Sequence, residues 1–417
     1  MNIQSSTFDS LLRQSDPLIA ETLDRALSEK EVSASEATRL FYAKGIDFHL
    51  IGMVSDDLRK RRIGDVVTYV VNRNINFTNV CIKQCGFCAF SRDFREEEGY
   101  FLPIDEIVRR AKEAKALGAT EICVQAGLPP DMDGHMYENI CRAIKKEVGD
   151  IHIHGFSPEE VLYGAMQSNL SLREYLKLLK DAGVNSLPGT AAEILNQPLR
   201  DKISPGRISV KKWIEVIKTA HKIGIPSTST IMFGHIETPE DRAKHIELIR
   251  DIQKETDGFT EFVPLNFIHS EAPMYKQNLH SGLKSGADGR DVLLMHAISR
   301  IMLNNYINNI QTSWVKEGSN MAQLLLAWGA GTLINESIST AAGALNGQLL
   351  KPKEIRRLIR QTDRIPAQRT TSYKIIKTFS SDEHEDPLDE IQDASKFGSY
   401  HELIKLDRYR YKSSRRS

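Results

Sequence analysis

Three of the chain's five cysteines fall within eight residues, in the stretch NVCIKQCGFCAF. They are Cys81, Cys85 and Cys88, with gaps of three residues and then two. An odd cluster cannot satisfy itself with disulfides, and so few cysteines predict a reducing, cytoplasmic setting. Three thiolates on one short loop make a soft-metal site with one position left open. A structural zinc site wants four closed ligands, commonly cysteine pairs two to four residues apart, and no fourth stands nearby. A 4Fe–4S cube held by three thiolates leaves one iron for an exchangeable ligand. S-adenosylmethionine (SAM) can fill that vacancy through its amino nitrogen and carboxylate. A zinc-binding scaffold and a thiol redox protein using the Cys85–Cys88 pair are the alternatives from other classes. Cys123 in EICVQAG and Cys141 in HMYENICRAI read as small buried hydrophobes.

The elements that must position this loop alternate regularly. Residues 1–62 read as helices, with a Ser-x-x-Glu start at Ser33. VVTYVVNRNINFTN then changes period to two. Asn72, Asn74, Asn76 and Thr78 share one face, which predicts a strand whose polar face looks into a site. Downstream, helical stretches alternate with TEICVQAG, DIHIHGF, VNSLPG, PSTSTIMFG and GFTEFVPLNFI as strands. Repeated αβ units predict an α/β fold with a parallel sheet, best closed as a (β/α) TIM-type barrel over 63–348. An open doubly wound sheet is the other architecture. In a barrel, chemistry sits at the C-terminal strand ends, where the cysteine loop falls. Residues 349–417 read as a C-terminal helical extension, solvated around SSDEHEDPLDEIQD, with a loose basic tail RYRYKSSRRS.

Composition excludes other classes. Lys+Arg and Asp+Glu are equal at 55 each, against a general nucleic-acid binder. No apolar run approaches a membrane span, and the first residues lack a secretory signal pattern.

The Cys-x3-Cys-x2-Cys spacing is the signature of the radical SAM superfamily. The phrases VTYVVNRNINFTNVCIKQCGFCAFSR, IHIHGFSPEEV, NSLPGTAAEIL, STIMFGHIET and FTEFVPLNFIHSEAPM together resemble one branch of it. That branch is the second component of FO synthase, the 5-amino-6-(D-ribitylamino)uracil–L-tyrosine 4-hydroxyphenyl transferases, which act in coenzyme F-420 biosynthesis. Two radical SAM enzymes of the futalosine menaquinone pathway, aminofutalosine synthase and dehypoxanthine futalosine cyclase, are its near relatives. The resemblance implies one 4Fe–4S cluster on Cys81, Cys85 and Cys88 with exchangeable SAM. It implies L-tyrosine and the ribitylaminouracil as substrates. An external donor such as ferredoxin or flavodoxin would supply the electron, and a cyclising FO synthase subunit 1 would act as partner. Phe87 matches the aromatic residue usual before the last cysteine. The usual Gly-Gly after the second strand reads Ala126-Gly127, with Gly127 expected to let the backbone approach SAM. The 326–337 segment is shorter than the family's.

Several polar residues become site candidates. In DIHIHGF, alternation turns His152 and His154 inward, with His154 nearer the strand's C-terminal end. The resemblance implies SAM binding by Glu193 in PGTAAEIL, and Arg207 in SPGRIS could pair with a carboxylate of SAM or tyrosine. Asn76, Gln125, His235 and His269 are expected at strand ends around the substrate, together with Thr238, Ser270 and Glu271. Trp213, on an amphipathic helix, is expected in the core.

Overall fold

The computed structural model describes residues 10, 13–333, 349–380, 384–397 and 400–412. Three helices lead in: Pro17–Leu27, Ala34–Phe41 and Ile46–Ile63. The expected cap at Ser33 forms, with Glu36 accepting the Ser33 N–H at 2.8 Å and Ser33 Oγ accepting the Glu36 N–H at 3.3 Å. Two orphan donors at the helix start are thereby satisfied reciprocally.

The stretch expected as one strand divides into β1 (Val66–Tyr69) and β2 (Asn72–Ile75). The reason lies in their neighbours, since β1 pairs with C-terminal strands and β2 with the next αβ unit. Then come β3 (Glu121–Val124), β4 (His152–His154), β5 (Ser227–Phe233) and β6 (Phe259–Asn266). Short β7 (Gln311–Thr312) and β8 (Thr332–Leu333) follow. VNSLPG contributes only bridges, at Ser186 to His154 and at Leu187 to Ser227. Pro188 follows them directly and has no N–H to extend the ladder.

Parallel pairing therefore runs from β2 through β3 and β4, across Ser186–Leu187, to β5 and β6. It continues through the Phe262–Ile310 bridge to β7 and β8. Thr68 beside Thr332 closes the circuit, their hydroxyls 2.9 Å apart. The sheet is a barrel and not an open one. Amphipathic helices cover it. On one, Val210–Lys222, Trp213 is fully buried as expected.

The C-terminal extension opens with the helix Pro352–Arg360 and then forms a hairpin of β9 (Ile365–Arg369) and β10 (Ile375–Thr378). β9 lies parallel to β1, so the extension joins the barrel's own sheet. Two expectations need correction here. The acidic stretch is not simply solvated, because Asp386 and Asp389 reach the fully buried Arg356 guanidinium at 2.5 and 3.4 Å. The basic tail is packed at least as far as Tyr411. Phe101 N–H donates to Tyr409 O at 2.7 Å, and Tyr411 N–H to Gly99 O at 2.8 Å. The last five residues, and 334–337 of the shortened segment, lie outside the described residues.

Candidate active site

The cysteine loop follows β2, at the strand's C-terminal end. Backbone bonds hold it from several sides. Cys81 N–H donates to Arg92 O at 3.0 Å, Ile82 N–H to Leu128 O at 2.9 Å, and Gly86 N–H to Ile203 O at 2.9 Å. The three thiols face one cavity of about 500 Å³, walled also by Ala126, Gly127 and Glu160. Among the described residues, no three Cys, His, Asp or Glu side chains converge on a single-ion position. Three soft thiols on one wall are a donor set that fits an iron–sulfur cluster. Burial pushes the Cys85 thiol up to about 12, although Arg207 pulls the other way. A thiol-exchange centre needs the opposite shift.

Gly127 packs tightly beneath the cysteine loop. A Cβ there would stand 2.2 Å from the Val80 carbonyl oxygen, so the close approach is to the loop's own backbone. Beside it, the Ala126 N–H donates to Glu160 Oε1 at 2.8 Å, and Ser157 N–H donates to Glu160 Oε2 at 2.8 Å. Burial pushes the Glu160 carboxyl up to about 7 against these bonds.

Arg207 is the charge centre of this end. Its Nη1 lies 2.8 Å from Glu193 Oε1 and 3.7 Å from Cys85 Sγ. Its Nε lies 3.7 Å from Glu159 Oε2, and its guanidinium sits 5.3 Å over the Phe87 ring. Glu159 is also met by Lys83 Nζ at 3.2 Å and the Ile208 N–H at 2.6 Å. Glu193 has φ +46, a left-handed conformation disfavoured for a side chain with a Cβ. Its carbonyl accepts the Met232 N–H at 2.7 Å, which fixes the turn to β5. Phe87, Cys88 and Glu193 also wall a neighbouring space of about 630 Å³ that reaches Met232 and Asn266.

A third space, of about 600 Å³, occupies the barrel lumen. Gln125, His154 and Cys123 are on its wall, with Thr190, Thr228 and Thr230. Cys123 is buried as expected, but it faces this lumen. Gln125 Nε2 donates to Thr190 Oγ1 at 2.5 Å. Ser186 Oγ lies 2.7 Å from His154 Nδ1 and 2.7 Å from His152 Nε2. Burial holds both imidazoles down at about 4, so they are neutral near pH 7.

The sequence-derived candidates thus separate. Cys81, Cys85, Cys88, Phe87, Gly127, Glu193 and Arg207 come together at the cysteine loop, while Gln125 and His154 line the lumen. Asn76 bridges the two strands, its amide donating to Gln125 O at 3.0 Å. His235 is fully buried and is on none of these three walls. Its ring lies 3.2 Å from Met232 O and 3.3 Å from Glu237 Oε2. His269 is half-buried against Tyr275, ring centres 4.5 Å apart, also away from these walls. Thr238 caps the helix Pro239–Thr256. Sequence reasoning missed Lys83, Glu159 and Glu160. The phrase SPEEV held a signal, but Ser157-x-x-Glu160 reads as a capping box, which it also is.

The fold and the thiol loop define a radical SAM barrel. The Radical SAM superfamily model matches residues 75–249, and the model of the CofH/MqnC C-terminal region matches 256–381. The solved structures of the FeFe-hydrogenase maturase HydG from Carboxydothermus hydrogenoformans and of methylornithine synthase (PylB) share the fold. Their TM-scores are 0.66 and 0.65 at 17% and 19% identity, covering 88% and 83% of this chain and 83% and 97% of theirs. Two curated relatives carry the name 5-amino-6-(D-ribitylamino)uracil–L-tyrosine 4-hydroxyphenyl transferase. The protein from Methanocaldococcus jannaschii is 50% identical over 84% of this chain and 98% of its own length. The one from Methanothermobacter thermautotrophicus is 47% identical over 85% and 97%. The chain belongs to this family of radical SAM transferases. Membership implies a 4Fe–4S cluster and SAM, in place of the zinc and dithiol alternatives. No helix among the described residues is long and apolar enough to cross a membrane.

Proposed function

We propose that the chain cleaves L-tyrosine between Cα and Cβ and adds the 4-hydroxybenzyl group to 5-amino-6-(D-ribitylamino)uracil, releasing 2-iminoacetate. The observation that carries this reading is the 50% identity over 98% of a transferase of that name. Cys81, Cys85 and Cys88 would hold the cluster. Phe87, Gly127, Glu193 and Arg207 would receive SAM beside it. When bound, these groups supply the electron and the hydrogen-abstracting radical that start the chemistry.

The chain's own residues hold the reactants in order. Arg207 is oriented beforehand by Glu193 and Glu159, so a ligand carboxylate meets a fixed cation. His154, kept neutral by burial, hydrogen-bonds without adding charge to the lumen. Asn76 and Gln125 orient substrate at the rim, while His269, on the loop after β6, stands back against Tyr275. His235 acts from behind the wall, positioning the Met232 carbonyl. The barrel wall excludes water and stray hydrogen donors. An external donor such as ferredoxin or flavodoxin delivers the electron, and a cyclising FO synthase subunit 1 receives the product in the cytoplasm.

The test is an anaerobic assay of reduced enzyme with SAM, L-tyrosine and the ribitylaminouracil together. Formation of 5′-deoxyadenosine and the hydroxybenzyl adduct is expected. Conversion of a futalosine-type substrate, with tyrosine and the uracil untouched, would replace this reading with the menaquinone one.

A further inference from the structure

The end of the lumen farthest from the cysteine loop has its own chemistry. Asn72, Glu121 and Glu261 stand at or near the starts of β2, β3 and β6, and all three line the cavity while being at most 2% exposed. Along β3, Glu121 is four residues below Gln125, about 13 Å at strand rise. Between these levels the wall includes Pro188, Val263 and Leu265. These apolar residues share the wall above the floor with His154, Thr190 and Thr230, while the floor itself is lined by carboxylates.

The floor carboxylates are fixed in place. Asn72 Nδ2 donates to Glu121 Oε1 at 2.9 Å. The turn between β9 and β10 closes the barrel from beneath. From it, Thr371 Oγ1 donates to Glu121 Oε2 and the Tyr373 hydroxyl to Glu261 Oε2 at 2.5 Å. Arg369 Nη2 stands 3.5 Å from the same Glu261 oxygen. A carboxylate accepts through two oxygens, each able to take more than one donor. Buried carboxylates held in this way, facing a cavity, present acceptors to a ligand rich in O–H donors. Thr228, beside them on the wall, adds a hydroxyl.

We propose that Glu121 and Glu261 form a polyol subsite that binds the ribityl chain of the uracil substrate, with Thr371 and Tyr373 as positioning residues. The planar ring then lies between Val263, Leu265 and Pro188, nearer the cysteine loop. This rests on the transferase reading above. It also gives the C-terminal hairpin a role in recognition, because it builds the floor against which the hydroxyls rest.

The test is calorimetric binding to the cluster-loaded enzyme with SAM present, using 5-amino-6-(D-ribitylamino)uracil and its chain-free counterpart, 5,6-diaminouracil. The wild-type protein should bind the ribityl compound at least a hundredfold more tightly. Hydrogen bonds to charged acceptors are each worth roughly ten- to hundredfold in affinity. Glu121→Gln and Glu261→Gln should each shrink that ratio by about tenfold or more. Tyr373→Phe, which frees Glu261 without removing it, should shrink it less. Equal binding of the two ligands by the wild-type protein overturns the subsite without relying on any variant. An unchanged ratio in both folded glutamine variants overturns it too. So does a loss confined to L-tyrosine affinity, which would place the amino acid's ammonium on the floor. If the wild-type protein binds neither uracil, the transferase reading itself falls, and the subsite with it.

Discussion

Cys81, Cys85 and Cys88 share one cavity, whereas Cys141 is fully enclosed in the helix Met136–Val148. Alanine at any of the first three should abolish reductive SAM cleavage and drop iron per chain. Cys141→Ala should keep both and cost roughly 1 kcal/mol of stability. Iron and sulfide analysis of anaerobically prepared variants checks this, and full activity in Cys85→Ala would contradict cluster ligation by the loop. These thiols were legible because their spacing is local along the chain. His154 was legible from alternation alone. Glu121 and Glu261 were not, because a glutamate at the start of a strand reads as solvent-facing. Their partners lie 250 and 112 residues away in sequence. His235 misled for the converse reason, since a histidine just past a strand end can turn back into protein. Here it meets Glu237.

At the level of elements, two packed contacts predict measurable effects. His221, on the helix Val210–Lys222, sits between the Ser227 and Thr256 hydroxyls, and burial holds its pKa down at about 4 from the usual 6.5. Between those values the unfolded chain binds the extra proton, so this residue makes stability fall as pH drops from 6.5 towards 4. His221→Gln should lose less stability between pH 7 and pH 5, by about 2 kcal/mol, as read by urea unfolding. The second contact ties the C-terminal extension to the barrel. Arg356 is fully buried, 3.1 Å from the Tyr69 hydroxyl and paired with Asp386 and Asp389. Arg356→Met leaves two carboxylates without their cation and should cost about 3–5 kcal/mol. The regular αβ units were readable from periodicity, but this region was not. Its acidic composition looks solvated until the arginine that neutralises it is brought alongside. The β9–β10 hairpin was hidden likewise, because β10 is exposed along its length and the parallel partner of β9 is β1, at the far end of the sequence.

Across the whole molecule, the chain's late residues return to its early ones. β9 sits against β1, Thr371 and Tyr373 close the lumen beneath Glu121 and Glu261, and residues 409–411 lie along 99–101. The last of these contacts backs the cysteine loop. Tyr100 donates its N–H to Asn79 Oδ1 at 2.8 Å and its hydroxyl to Asn76 O at 2.8 Å, while Thr78 Oγ1 donates to Tyr100 O at 2.6 Å. Removing residues 407 onward should therefore lower iron retention at least twofold after desalting, with far-ultraviolet circular dichroism little changed. A chain that keeps its full iron content would show that the loop holds its shape without that support. The arrangement also sets an order of events during synthesis. The cysteine loop leaves the ribosome hundreds of residues before the C-terminal segment that braces it from behind. Iron delivery to a nascent chain would meet thiols on an unbraced loop, so productive loading belongs after the C-terminal segment has folded back.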